Sequence, residues 1–493
     1  MISSHLPILQ VVVPLIAAPL MVLLRHGALA WLLAVGISWT ALAIALALLA
    51  EVAGGGLISY ALGNWPPPWG IEYRVDSVNA YLAVIVSMVA AVVVVYMRRS
   101  VEAEVPRERH YLFYTMYALC LAGLLGISVT GDAFNLFVFL EISSLSTYVL
   151  IALGRDRRAL MAGYQYLIMG TIGATFFVIG VGLLYLETGT LNLADMAARL
   201  PRVTDVRPVL AALAFITVGI SLKLALFPLH LWLPNAYAYA PSAVTAFIAA
   251  TATKVMVYVL LRFYYSVFGE SAVFSALPMG GILLALSLAA IFIASVVAIF
   301  QDNVKRMFAY SSVAQIGYIT LGVSFNSATG LTAGIVHLFN HALTKGGLFL
   351  LLGGIALRLG AVRFDAIGGI GRAMPLTSFG IVLGGLSLIG VPATVGFVSK
   401  WYLVLAALER GEGWIAFAVV ASSLLAVAYV WRFVEVAYFR EPAGKIAELK
   451  EAPASMLVPA WLMIAGCVYF GLDTALTLGG AGDAAKVLLR GTW

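Results

Sequence analysis

From Trp31 to Ala50 the chain runs twenty residues without a charged side chain, and Ala80–Met97 and Gly281–Phe300 repeat the pattern. A helix of about 20 apolar residues crosses the hydrocarbon core of a bilayer. Inside that core the backbone has to satisfy its own polar groups, which a helix does. The runs therefore predict an all-α polytopic membrane protein with about 14 transmembrane helices. They are expected near 6–24, 29–50, 77–97, 111–129, 133–153, 160–187, 208–233, 242–268, 278–300, 304–324, 329–357, 375–408, 414–439 and 454–478. Only 11% of residues are charged, against about 25% in soluble domains. Ala17 and Ala18 would suit cleavage of a signal peptide, but no basic residue precedes the first segment and Arg25 and His26 follow it. An uncleaved span is expected.

The basic residues set the orientation. Loops assigned to the inner side, with Arg98–Arg109, Arg155–Arg158, Lys305, Arg306, Lys445 and Lys450, hold twice as many Lys and Arg as the outer ones, with Arg74, Arg199, Arg207 and Arg262. The positive-inside rule then places both termini outside. The net charge of +6 is an orientation signal and not a nucleic-acid surface. Cys120 and Cys467 fall in separate spans without metal-ligand spacing and read as packing residues. The irregular segment 54–70, with Pro66, Pro67 and Pro68, is structural.

Against this background five ionisable residues stand out within apolar segments: Glu141, Lys223, Lys254, Lys345 and Lys400. A charge at the bilayer centre costs roughly 2.5–3.5 kcal/mol on insertion scales, so such residues usually serve ion or proton movement. Glu141 lies about eight residues into the fifth span, roughly 12 Å deep. Asp132, at the outer edge of that span, is either a helix cap or a proton-access group. In the seventh span Pro228 lacks an amide hydrogen and breaks the helix just after Lys223. His230, beyond the break, is either a proton-access group or a satisfied structural histidine. Thr251 and Thr253 flank Lys254 and favour a hydrated interior.

His337, His341 and Lys345 recur at i, i+4 and i+8, on one face of the eleventh span. Histidine suits a proton relay because its ordinary pKa is near physiological pH. A zinc helix would carry glutamate after the first histidine; here Leu338 follows it, and no third ligand is evident. Pro392 and Gly396 predict a second break beside Lys400 in the twelfth span. Arg432 and Glu435 are spaced to pair with each other. Lys305 and Arg306 read as orientation charges, with Ser311 and Ser312 able to hold water near the axis.

Two breaks beside two lysines, in spans seven and twelve, suggest inverted five-helix repeats. Their order differs, since Pro228 follows its lysine and Pro392 precedes its own. The expected organisation is a three-helix segment (1–110), a first repeat (111–268), a second, inverted repeat (278–440) and a C-terminal helix and tail (441–493). There is no GxxxxGK[ST] loop, no CxxC, and no GxGxxG after a strand; Gly368–Gly371 lacks that context. No cofactor or metal is expected, and no redox or nucleotide chemistry in the chain itself.

Several stretches carry a resemblance: Gly131-Asp132 with Phe139-Leu140-Glu141, Pro228 to Pro234 with Ala240-Pro241-Ser242, Arg306 to Ser312, and Gly396 to Lys400. The chain resembles the antiporter-like proton-conducting subunits shared by respiratory complex I, membrane-bound hydrogenases and Mrp-type cation/proton antiporters, most of all the D subunit of the Mrp type. The resemblance implies that Glu141 and Lys223 form a controlling ion pair and Lys254 a bridging lysine. His337, His341 and Lys345 would be the central relay and Lys400 the terminal proton-exchange lysine. Asn235 departs from the family, where many relatives carry aspartate. The implied function is proton translocation in a multisubunit sodium/proton antiporter of the cell membrane, with other membrane subunits as partners and protons and sodium as ions. The alternative is a proton-pumping subunit of an NADH-quinone oxidoreductase or hydrogenase complex.

Overall fold

The computed structural model describes residues 3–442, 446 and 448–491, so Lys445 lies outside the described residues. Among those residues twelve helices are long and apolar enough to cross a membrane. Two further elements complete the fourteen expected. Val304–Ser324 has the length but carries Lys305, Arg306 and Gln315, and Pro375–Ile389 with Val395–Glu409 forms one span in two halves. The spans are numbered here from Leu6–Leu24 to Ala454–Leu472.

Polar caps fix where spans begin, because the first amides of a helix have no partner within it. Asp76 accepts from the amides of Val78 (2.9 Å) and Asn79 (3.2 Å) at the start of the third span, Ser77–Glu104. Asn303 and Ser327 do the same for the tenth (Val304–Ser324) and eleventh (Ala328–Leu359). The eighth (Ser242–Leu261, continuing to Val267) and the eleventh are 94% and 78% buried along their apolar stretch and form the core together with the third and fourth (78% and 83%), against 39% for the second, sixth and ninth. Lys254, His337, His341 and Lys345, on the eighth and eleventh spans, therefore face protein and not lipid.

Both predicted breaks are present. The seventh span stops at Leu224, Ala225 turns into the left-handed region (φ 60°), and helix resumes at Trp232–Tyr239. The twelfth stops at Ile389, with Gly390 at φ 89°, and resumes at Val395. The next span in each case ends in wide, π-helical turns, Arg262–Val267 and Glu435–Phe439. Break and widened end thus recur together five spans apart.

Several expectations need correction. Segment 54–75 adds a short two-stranded antiparallel sheet, pairing Ile58–Ala61 with Glu72–Val75, to the all-α membrane fold expected from the sequence. The last span ends at Leu472, where Asp473 accepts from the amide of Ala475 (3.2 Å) and starts a separate helix, Ala475–Leu489. Arg262 is not a loop charge but is fully buried, ion-paired with Asp76 and bonded to the Tyr258 hydroxyl (3.3 Å). Lys305 is also buried and donates to Ser242 Oγ (2.8 Å). Arg432 does not pair with Glu435. Its guanidinium reaches the carbonyls of Ile299 (2.6 Å) and Gln301 (2.7 Å), left open where the ninth span (Met279–Ile299) ends, while Glu435 pairs with Arg440 (3.2 Å).

Candidate functional site

Ending a helix in mid-membrane leaves carbonyls without amide partners. At the seventh-span break the Leu222 carbonyl, which the Ala225 amide reaches only at 3.4 Å, also accepts from the indole of Trp232 (2.8 Å), which is itself stacked on Tyr166 (ring centroids 4.0 Å). Lys223 is thereby free to point across to the fifth span, Ala133–Ala152. Its ammonium lies 3.4 Å from Glu141 Oε1 and donates to Ser144 Oγ (2.8 Å). Glu141 keeps 24% of its side chain exposed, whereas Lys223 keeps 5%. A cavity of about 20 Å³ runs from Lys223 past Ser144 and Thr147 to Ala252 and Met256 of the eighth span. That volume is room for one water.

Lys254 sits on the eighth span with no exposed surface and donates to the Ala249 carbonyl and to Thr253 Oγ1 (3.3 Å). Thr251 is turned to its own backbone, donating to Phe247 O (2.7 Å). On the eleventh span the rings of His337 and His341 are stacked, with centroids 6.2 Å apart. His337 is held by Ser399 Oγ (2.7 Å) and Gln315 Oε1 (3.0 Å). Both nitrogens of His341 are buried and have no hydrogen-bond partner among the described residues. Lys254 and Lys345 are the lysines near it, and Lys400 and Lys254 are those near His337. Lys345 shares the histidine face by spacing, yet its ammonium turns to the tenth span, donating to Phe308 O (2.8 Å) and Ser311 Oγ.

The twelfth-span break has a different solution. Lys400 itself caps the open end, donating to the carbonyls of Leu388 (2.9 Å) and Ile389 (3.0 Å) and to Ser423 Oγ (3.0 Å). A cation there also complements the negative end of the helix dipole. Its ammonium lies 4.6 Å from the ring centre of Tyr318, a cation–π contact. Gly396 makes the close crossing possible, since a Cβ on it would lie 1.7 Å from the Ser387 carbonyl oxygen.

The expected residues thus fall toward the middle of spans five, eight and eleven and at the breaks of spans seven and twelve. Among the described residues, only Glu141 and Lys223 of the seven are hydrogen-bonded directly to each other. Hydroxyl and amide groups fill the intervals: Ser144, Thr253, Gln315, Ser399 and Ser423. Sequence reading missed most of these because serine and threonine are ordinary in membrane helices; the polar pair Gln315 and Tyr318 inside the tenth span was the available signal. Asp132 caps the fifth span, accepting from the amide of Asn135 (2.7 Å), and burial raises its carboxyl above the ordinary range despite that bond. His230 is buried between Phe227 and Tyr310, with Nδ1 unbonded among the described residues. Asn235 donates to Gln165 (2.8 Å).

Residues 130–426 match the NADH:quinone oxidoreductase/Mrp antiporter transmembrane family. The chain is 44% identical over 491 residues to an NADH-quinone oxidoreductase subunit N of Desulforudis audaxviator, covering 95% of this chain and 96% of the relative. It superposes on a chain of an archaeal membrane-bound sulfane sulfur reductase with a TM-score of 0.89 at 30% identity, covering 98% of both chains. A chain of the Mrp complex from a Dietzia species gives a TM-score of 0.90 at 25% identity, covering 99% and 98%.

Proposed function

The chain belongs to the NADH:quinone oxidoreductase/Mrp antiporter transmembrane family, and we propose that it is the antiporter-like, proton-pumping membrane subunit of a redox-driven complex of the NADH-quinone oxidoreductase kind. The observation that carries the proton-moving part is the file of buried cations, Lys223, Lys254, Lys345 and Lys400, with one carboxylate at its end and the two stacked histidines within it. Burying four ammonium groups is costly, and such groups are usually retained where they serve ion or proton movement. The sodium/proton antiporter component, the first expectation from the sequence, becomes the second reading. The 44% identity to a quinone-oxidoreductase subunit favours the redox-driven complex, and the likeness to the Mrp chain keeps the antiporter in play.

In the proposed cycle Glu141 holds Lys223 in its ammonium form. Drawing the pair apart frees the proton to pass over the small cavity to Lys254, then by His341 and His337 to Lys400. The partners are other membrane subunits, one of which would move Glu141 relative to Lys223. The loop charges support a multi-pass placement in the cell membrane with both termini outside. The test is proton transport by the whole complex in proteoliposomes, with a pH-sensitive dye inside. Substituting Lys223→Ala should remove this subunit's share of donor-driven transport. An unchanged rate in a fully assembled complex overturns the proposal, and transport driven by a sodium gradient with no response to electron donor favours the second reading.

A further inference from the structure

From Val78 to Val94 every residue of the third span is buried except Val84, Met88 and Val92. Their spacing of i, i+4 and i+8 puts them on one stripe of the helix. Two cavities follow that stripe. The first, about 490 Å³, opens beside Gly54 and Gly55 and is lined by Tyr81, Val84, Phe339 and residues of the helix Ala475–Leu489. The second, about 360 Å³, continues inward between Met88, Val92, Leu343, Met463 and Phe470. The rings of Phe339 and Phe470 meet edge-on at the junction, with centroids 5.1 Å apart. The mouth of the first cavity is polar. Lys486, Arg490 and Asp483 stand there; Asp483 pairs with Lys486 (3.1 Å), and Arg490 has no ion pair among the described residues. Ser77 and Tyr81, one turn apart, line the same cavity, and neither hydroxyl has a hydrogen-bond partner among the described residues, although Tyr81 is only 8% exposed. A buried hydroxyl is ordinarily paired with protein, water or a ligand. Gly480 lets its helix lie close over the Tyr81 ring, from which a Cβ on it would be 3.0 Å.

We propose that this trough binds one anionic phospholipid from the leaflet at which the third span begins. Its phosphate lies at Arg490 and Lys486, its glycerol ester carbonyls accept from Ser77 and Tyr81, and one acyl chain runs along Val84, Met88 and Val92. The length fits a single leaflet. Tyr81 to Val92 is a rise of about 16 Å, and half of a hydrocarbon core of roughly 30 Å is about 15 Å. The order of chemistry fits as well, with cations and hydroxyls at the mouth and apolar groups beyond. A partner subunit's helix fits less well, because it is about 10–12 Å across with its side chains and would need an apolar face through both leaflets. Phe339 lies between His337 and His341 in sequence, so the acyl chain packs on the span that carries the stacked histidines.

The test places the whole complex in phosphatidylcholine vesicles with a small fraction of phosphatidylglycerol that carries a photoactivatable diazirine on one acyl chain. After illumination, labelled residues are mapped by peptide mass spectrometry. The expected result is labelling concentrated at Met88, Leu343 and Met463, well above that at Phe417 and Leu424, which are exposed on the thirteenth span (Gly413–Val434). Arg490 is exposed, so replacing it leaves the packing alone. Arg490→Gln should lower labelling of the trough roughly fivefold, the attraction of one basic residue for an anionic headgroup. The same diazirine chain on phosphatidylcholine should label the trough weakly. Labelling of the trough no greater than that of the thirteenth span overturns the proposal, as does labelling that ignores both Arg490 and headgroup charge. A Met88→Cys variant that a short bismaleimide joins to a neighbouring subunit assigns the trough to a partner helix and overturns it too. Labelling needs neither electron donor nor ion gradient, so its outcome is independent of the proton-pumping reading.

Discussion

Lys223 and Glu141 are unequal partners. The lysine is enclosed and the carboxylate partly open, so removing one is not equivalent to removing the other. Taking one member from a buried pair costs about 3–5 kcal/mol because the remaining charge is uncompensated. Glu141→Ala should fall toward the low end of that range, since the site is partly open and Ser144 still accepts from Lys223. Lys223→Met should cost less, because the Glu141 it leaves behind is partly open, whereas the Lys223 left by Glu141→Ala is enclosed. Thermal unfolding of the purified complex would order the two, and equal losses would contradict this account. The lysines, Glu141 and the histidines were legible in the sequence because ionisable groups inside apolar runs are rare. Arg262 and Lys305 were not. Each falls where a helix meets its loop, and nothing in the local sequence distinguishes an anchoring charge from one whose partner lies far along the chain.

The two broken spans show how one backbone problem has two solutions. In the seventh a tryptophan adds to the long amide bond on the Leu222 carbonyl and the lysine is left to pair; in the twelfth the lysine takes up the carbonyls itself. The prolines made both breaks legible, while the cap at each lies in tertiary contacts that spacing does not reveal. The widened ends of the eighth and thirteenth spans had no sequence signal, since π-helical turns lack a residue signature. Gly396→Ala should force the halves of the twelfth span apart, because its new methyl meets backbone that cannot give way. Overpacking of this kind costs about 1–3 kcal/mol, and transport should fall with it. Assembly and transport at wild-type levels would show that the crossing is not needed.

Across the whole molecule, the Asp76–Arg262 pair ties the N-terminal spans to the eighth, the span that also carries Lys254. Asp76→Ala takes the carboxylate from a buried guanidinium and removes the cap of the third span; it should destabilise the subunit by about 3–5 kcal/mol, read as lost assembly. Surface carboxylates behave otherwise. Hydrogen bonds from Arg207 hold Asp205, and those from Arg363 hold Asp365, below the ordinary range. Their contribution is present above the unfolded value and lost only as pH falls through the depressed one, so Asp205→Asn should leave the transport profile unchanged near neutrality. Fold and family were readable from apolar runs and motifs, whereas the choice between complexes was not, because both share the core residues. The run of the lysine file across the middles of successive spans has an electrical consequence. A charge crossing the full membrane works against about 2.3 kcal/mol per 100 mV, yet one moving sideways at constant depth crosses almost none of that voltage. On the proposed path the hops from Lys223 to Lys400 would be electrically silent. The voltage would act on the short vertical legs at either end, so back-pressure from a charged membrane should slow uptake and release and spare the passage between them.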